Sequence, residues 1–176
     1  MDIMIKRLFE TWFGGGDQSS AVRPLYAAII ARAREPKWFV DGGVADTIDG
    51  RFDMLSAIFA VVMIRLEALG DDAKPIVTFL TETFVTDMDG QLRELGFGDV
   101  GLGKHVGNMM SALGGRIGAY RDALGGGARL EDALVRNLYR DVAPSGAALS
   151  FVAEGLRSFY DDVNQRSFAD LLSAKL

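Results

Sequence analysis

The sequence predicts an all-α fold, a single-domain bundle of about seven helices. Apolar residues recur at intervals of three and four through most of the chain, and alternating, β-branched strand patterns are essentially absent. The 176 residues, 49% apolar and 24% charged, are enough for one domain with a proper core and unlike a disordered chain. An orthogonal or an up-and-down arrangement satisfies the pattern equally well.

Residues 1–13 place Met1, Met4, Ile5, Leu8, Phe9, Trp12 and Phe13 in helical rhythm, which predicts an amphipathic N-terminal helix. Gly14, Gly15 and Gly16, followed by Asp17, Gln18, Ser19 and Ser20, predict a flexible linker over 14–20. The helical domain proper then covers 21–176. Its first helix takes Ser20 as N-cap and Pro24 in its first turn, carries Val22, Leu25, Ile29 and Ala33 on one face, and stops at Glu35-Pro36. From Lys37 to Asp46 there is no helical spacing, so an irregular connection is expected, laying Trp38 and Phe39 onto the body.

Thr47 opens a helix that is apolar on every side between Ala57 and Ile64, as befits the middle of a bundle, with Gly70 as its C′ residue. Asp49, Asp53 and Ser56 are expected on the polar side of its first two turns. Lys74-Pro75 starts the next helix, striped by Leu80, Phe84, Met88 and Leu92 and ended by Gly96. A glycine-punctuated turn is expected from Phe97 to Gly103. Beyond it Val106, Met109, Leu113, Ile117, Tyr120 and Leu124 share one helical face, while Gly107, Ser111, Gly114 and Gly118 form a line of small groups. Each glycine costs about 1 kcal/mol against alanine in a helix, so a closely packed neighbour is the expected compensation. After Gly125–Gly127 come a helix from Leu130 through Leu134 and Leu138, a stop and N-cap at Pro144-Ser145, and a helix carrying Leu149, Val152, Leu156 and Phe159. A short final helix from Ser167, with Phe168, Leu171 and Leu172, is expected to fray.

Composition excludes several function classes. Without cysteine there is no disulfide, thiolate nucleophile or Cys-ligated metal, and a reducing compartment is implied. His105 is the single histidine, which rules out a histidine-rich metal site. A net charge of −5 argues against general nucleic-acid binding. The longest apolar run, Ala57–Ile64, falls well short of the roughly 18–20 residues a membrane span needs, and the N-terminus lacks the layout of a secretory signal. A soluble, cytoplasmic protein is expected, with residues 1–13 offering a route to peripheral contact at the inner membrane. That segment could equally dock on its own domain or in another protein's groove.

Three motifs invite a chemical reading. Gly98–Lys104, G-D-V-G-L-G-K, matches part of a phosphate-binding loop, but His105 replaces the Ser/Thr that would hold magnesium and no strand precedes it. A glycine-rich interhelical turn is the better reading. Asp87 and Asp89, in V-T-D-M-D-G-Q-L, mimic an aspartyl phosphotransferase, yet lie in a strong helical stripe and read as solvated carboxylates. Asp46, Asp49 and Asp53 surround Arg51 at a helix start, where the dipole favours acids. Arg51 is expected to staple these carboxylates, with partner contact as the second reading. No catalytic residue, cofactor site or metal site is assigned.

The stretches R-E-P-K-W-F-V-D-G-G-V-A-D-T-I-D-G-R-F-D-M-L from Arg34 to Leu55 and D-M-D-G-Q-L-R-E-L-G-F-G-D-V-G-L-G-K from Asp87 to Lys104 resemble the ubiquinol–cytochrome c chaperone family, assembly factors of respiratory complex III. The resemblance covers roughly Pro24 to Phe159. It implies a helical, non-enzymatic chaperone that binds newly made cytochrome b; mitochondrial members also work with a small partner protein at the ribosome exit. The short chain without a transit peptide looks like a bacterial member. Asp49, Arg51, Phe52 and Asp53 match the first block. Asp87, Asp89, Leu92, Arg93, Gly98, Asp99 and Lys104 match the second, with Tyr120 aligned beyond it. Leu113-Gly114-Gly115-Arg116 departs from the expected aromatic-Gly-Arg. With Trp38 and Phe39, Asp49, Arg51, Asp53, Asp87, Asp89, Arg93, Asp99, Lys104 and Tyr120 are the candidates for partner binding. Met109 and Met110 are adaptable apolar groups that suit an apolar client.

Overall fold

The structure, a computed structural model, describes residues 21–94 and 99–176. Expectations for residues 1–20 and 95–98, including the N-terminal helix, its linker, the Ser20 cap and Gly98, therefore fall outside the described residues. So do the side chains of Leu92 and of residues 99–106, Asp99, Lys104 and His105 among them.

The described residues form eight α-helices and one 3-10 turn, and no strand. They are α1 Arg23–Ala33, α2 Pro36–Val40, α3 Ile48–Ala68, a 3-10 turn Asp71–Ala73, α4 Lys74–Glu94, α5 Asp99–Leu124, α6 Leu130–Asn137, α7 Gly146–Asn164 and α8 Phe168–Leu172. The all-α class is as the periodicity requires.

Helix α3 is the axis of the bundle, packed against α1, α4, α5 and α7. Its middle, from Met54 to Ile64, is buried on every side. Local signals set its ends. The Thr47 hydroxyl accepts the Gly50 amide at 3.1 Å, and Gly70 takes a left-handed φ of 86° just past the last turn. Helix α1 buries Val22, Leu25, Ile29 and Ala33 as expected, and α4 lays Ile76, Leu80, Phe84 and Met88 into the core. Ser145 caps α7 by accepting the Ala148 amide at 3.2 Å.

Four local expectations are corrected. Residues 36–40 are helical, because Pro36 both ends α1 and occupies the first turn of α2, where its missing N–H costs nothing. The turn expected up to Gly103 gives way to helix from Asp99 onward. Burial of Leu113 and Tyr120 anchors the later turns of α5, and extending an anchored helix through glycines costs only about 1 kcal/mol each. The final helix is docked rather than frayed: Phe168, Leu171 and Leu172 are buried, and Ser167 and Asp170 form a reciprocal capping box. Finally, Gly107, Ser111, Gly114 and Gly118 are exposed, and a β-carbon at Gly107, Gly114 or Gly118 would meet nothing within 4 Å. The close neighbour expected for that line does not exist among the described residues.

Candidate functional site

Helices α3 and α4 bring the two sequence blocks to one end of the bundle. The start of α3 and the last turns of α4 face each other, with Phe52 and Phe84 rings 6.1 Å apart. Two features flank Phe52 there: an ionic cluster around one buried carboxylate toward α5 and an apolar groove toward α1.

The cluster is centred on Asp53, whose side chain is only 1% exposed. Arg116 of α5 donates from Nη2 to its Oδ1 at 2.5 Å, and Arg140, just after α6, donates from Nε to its Oδ2 at 2.6 Å. Arg140 also donates from Nη1 to Asp49 at 2.8 Å. Arg116 completes its contacts with the Ser56 hydroxyl at 3.3 Å and lies over the Phe52 ring, 5.0 Å from its centroid. The Asp53 bond is the chief cause holding the Arg140 guanidinium above its ordinary pKa. Arg140 and Asp141 adopt left-handed φ of 53° and 65°, a conformation that side chains other than glycine resist. The two bonds to α3 offset that cost.

This arrangement overturns two expectations. Asp53 and Ser56 are not on a polar surface; both are fully buried and face α5. Arg51 is not the staple, since it is exposed and, among the described residues, pairs only with Asp46, at 2.6 Å. Arg116 and Arg140 do that work, and sequence reading missed both. The one trace of Arg116 was its place after Gly114-Gly115, where the family pattern was seen to change. Arg140 left no local signal.

Trp38 is buried at 1% exposure, and its indole N–H donates to the Arg32 carbonyl at 2.8 Å. Its slot is cut by glycines: a β-carbon at Gly155 would lie 2.8 Å from the ring, and one at Gly42 would lie 2.5 Å from the Trp38 carbonyl. Phe39 is half-buried against the core. Tyr120 is fully buried, its hydroxyl without a hydrogen-bond partner among the described residues, and burial pushes its pKa well above the usual tyrosine value. Tyr139 donates to the Gly42 carbonyl at 2.6 Å, and burial pushes its pKa up to about 12. Trp38, Asp53 and Tyr120 are thus inside the domain, where they shape the surface rather than form it.

The other candidates are nearer the solvent. Asp87 accepts from the Tyr26 hydroxyl at 2.8 Å and from Gln91 at 3.1 Å, tying α4 to α1. Burial, followed by the bond to Asp87, raises the Tyr26 pKa strongly. Asp89 pairs with Arg93 at 2.8 Å along α4. Residues 99–104 have helical backbone, so the segment from Asp99 to Lys104 does not form the loop that a phosphate cradle requires.

The groove runs between α1, α3 and α4. Its lining includes Ile30, Ala33, Phe52, Leu55 and Met88, with Arg34 and Arg51 at the rim and Ile48, 60% exposed, at its mouth. Among the described residues, no group of three or more His, Cys, Asp or Glu side chains could hold a metal ion. No described helix is long and apolar enough to cross a membrane.

Comparison with known proteins bears out the fold. No curated protein sequence matches the chain. The crystal structure of the Cbp3 homolog from Brucella abortus superposes with a TM-score of 0.79 at 28% identity, over 98% of this chain and 95% of that one. The family model for the ubiquinol-cytochrome C chaperone matches residues 40–175, which take in the Asp53 cluster and the α3 and α4 sides of the groove. With most of its length matched, the chain belongs to the ubiquinol–cytochrome C chaperone family.

Proposed function

We propose that the chain is an assembly chaperone that binds newly made cytochrome b during biogenesis of the ubiquinol–cytochrome c reductase complex, stoichiometrically and without catalysis. Family membership supports the chaperone role. The observation that carries the client reading is the groove beside Phe52. The two blocks behind the family resemblance converge there, where Ile48 is exposed and Ile30 and Phe52 stay partly accessible over a buried base of Ala33, Leu55 and Met88. A client destined for the bilayer presents apolar surface before it is inserted, and covering part of it delays wrong association. The Asp53 cluster fixes how α3 meets α5 and so holds Phe52, which Arg116 covers from the other side, in register with Met88. The affinity required is moderate, because a chaperone must also release.

The test uses the full-length tagged chain in its native cells. Mass spectrometry of the captured material should be enriched in cytochrome b, and deletion of the gene should remove the b-type haem signal from membranes. Membranes with unchanged haem, together with captures free of cytochrome b, would defeat the proposal.

A further inference from the structure

The groove between α1, α3 and α4 carries more information than its apolar floor. Its volume is about 140 Å³, close to the roughly 150 Å³ of an engineered apolar cavity in a lysozyme that takes up benzene. One phenyl or isobutyl group fills it. Its charge is the second observation. In a chain of net charge −5, the groove is lined by two arginines, Arg34 and Arg51, and by no carboxylate. Arg34 is exposed and makes no ion pair among the described residues. Arg51 is paired with Asp46, but the two side chains are 60% and 59% exposed, and such a surface pair exchanges partners at small cost.

We infer that this groove docks an apolar side chain carried beside a carboxylate on a partner polypeptide. The apolar group would rest on Phe52, Leu55 and Met88, and the carboxylate would meet Arg34, with Arg51 as the second cation. A wholly apolar segment would desolvate the two guanidiniums without replacing their water, which is unfavourable. A basic one would face like charge. The inference rests on the chaperone reading for its partner and narrows it, from apolar surface in general to an apolar residue next to an acid.

The experiment uses the full chain with 13C-methyl methionine, the Met88 resonance assigned through Met88→Leu, and capped dipeptides as probes. Acetyl-Glu-Phe-amide should shift the Met88 methyl saturably, whereas acetyl-Lys-Phe-amide and acetyl-Glu-Ala-amide should bind at least about tenfold more weakly. Arg34→Glu, a change at an exposed position that leaves the core alone, should reverse the preference in favour of acetyl-Lys-Phe-amide. Equal response to the Glu and Lys peptides, or no saturable response, overturns the inference. A Met88 resonance that moves when residues 1–13 are deleted would make the chain's own segment the occupant and would overturn the partner assignment. Capture of cytochrome b should fall with Arg34→Glu; capture unaffected by that change overturns the groove as the client's site. If the unaltered chain captures no cytochrome b while the peptide preference holds, the chaperone reading fails and the groove's chemistry stands.

Discussion

Asp53 and Arg140 are joined across 87 residues of chain by a 2.6 Å hydrogen bond from Nε to Oδ2. With Arg116 on its other oxygen, the Asp53 carboxylate is almost wholly enclosed by two guanidiniums from elements that do not touch each other locally in sequence. Removing it leaves Arg116, only 12% exposed, without a counter-charge, and leaves Arg140 with the exposed Asp49 alone. Asp53→Ala should therefore lower unfolding free energy by about 3 kcal/mol or more, read as the shift of the urea midpoint at constant slope. Arg51→Ala, which breaks only an exposed pair, should leave the midpoint close to that of the parent. Equal effects for the two would deny Asp53 its role as the anchor.

Trp38 fills a slot whose walls admit no added carbon. Gly155→Ala puts a methyl 2.8 Å from the indole, too close for either α7 or the ring to stay in place. The expected loss is about 1–3 kcal/mol from overpacking. Trp38→Ala instead leaves a void and takes from the Arg32 carbonyl the shorter of its hydrogen bonds, leaving the Glu35 amide at 3.4 Å, and should cost about 3–5 kcal/mol. Because each change damages the same contact, the double variant should lose much less than the sum of the singles. Additive losses would separate Gly155 from the tryptophan.

Much of the fold was legible because its signals are local. Thr47, Gly70, Ser145 and Ser167 each announce a helix end through chemistry with residues two to four positions away, and the all-apolar run of α3 announces a buried axis. The site was less legible for the same reason. Asp53 lies on α3 among acids that are truly exposed, and nothing nearby shows that it turns inward. Its partners Arg116 and Arg140 stand 63 and 87 residues away, and pairing over such distances imprints no period on the chain. In the sequence Pro36 marks a stop, although the same fixed φ that ends one helix suits the first turn of another.

Alkaline stability should report the buried tyrosines. Tyr26, Tyr120 and Tyr139 all have pKa values raised above the ordinary tyrosine value near 10, chiefly by burial, Tyr139 to about 12. A phenol harder to deprotonate when folded stabilises the native state below its unfolded pKa. As pH rises from about 10 toward 12 the unfolded chain releases the proton first, and that stability is lost. The urea midpoint should thus hold below pH 9 and fall steeply above pH 10. Tyr139→Phe removes one titrating group and should flatten the decline, while losing at neutral pH the hydrogen bond to Gly42, about 1 kcal/mol. A decline just as steep in the variant would remove Tyr139 from the cause.

The exposed glycines of α5 allow a change in the opposite direction. Gly114 sits in the interior of a long helix, on its solvent face, and a β-carbon there would touch nothing within 4 Å. No packing in the described chain repays its conformational freedom. Gly114→Ala should then raise stability by about 0.5–1 kcal/mol, through a less flexible unfolded chain and a better helix former. Gly50 supplies the contrast on α3. There an added β-carbon would fall 2.0 Å from the Ala45 carbonyl oxygen, a backbone atom that cannot swing away, so Gly50→Ala should destabilise although it is the same substitution within a helix. Thermal melts of the two variants side by side separate intrinsic helix preference from packing. A loss at Gly114 would mean that a neighbour covers that face in the folded protein, and a gain at Gly50 would mean that the turn before α3 yields more readily than the close approach to Ala45 implies.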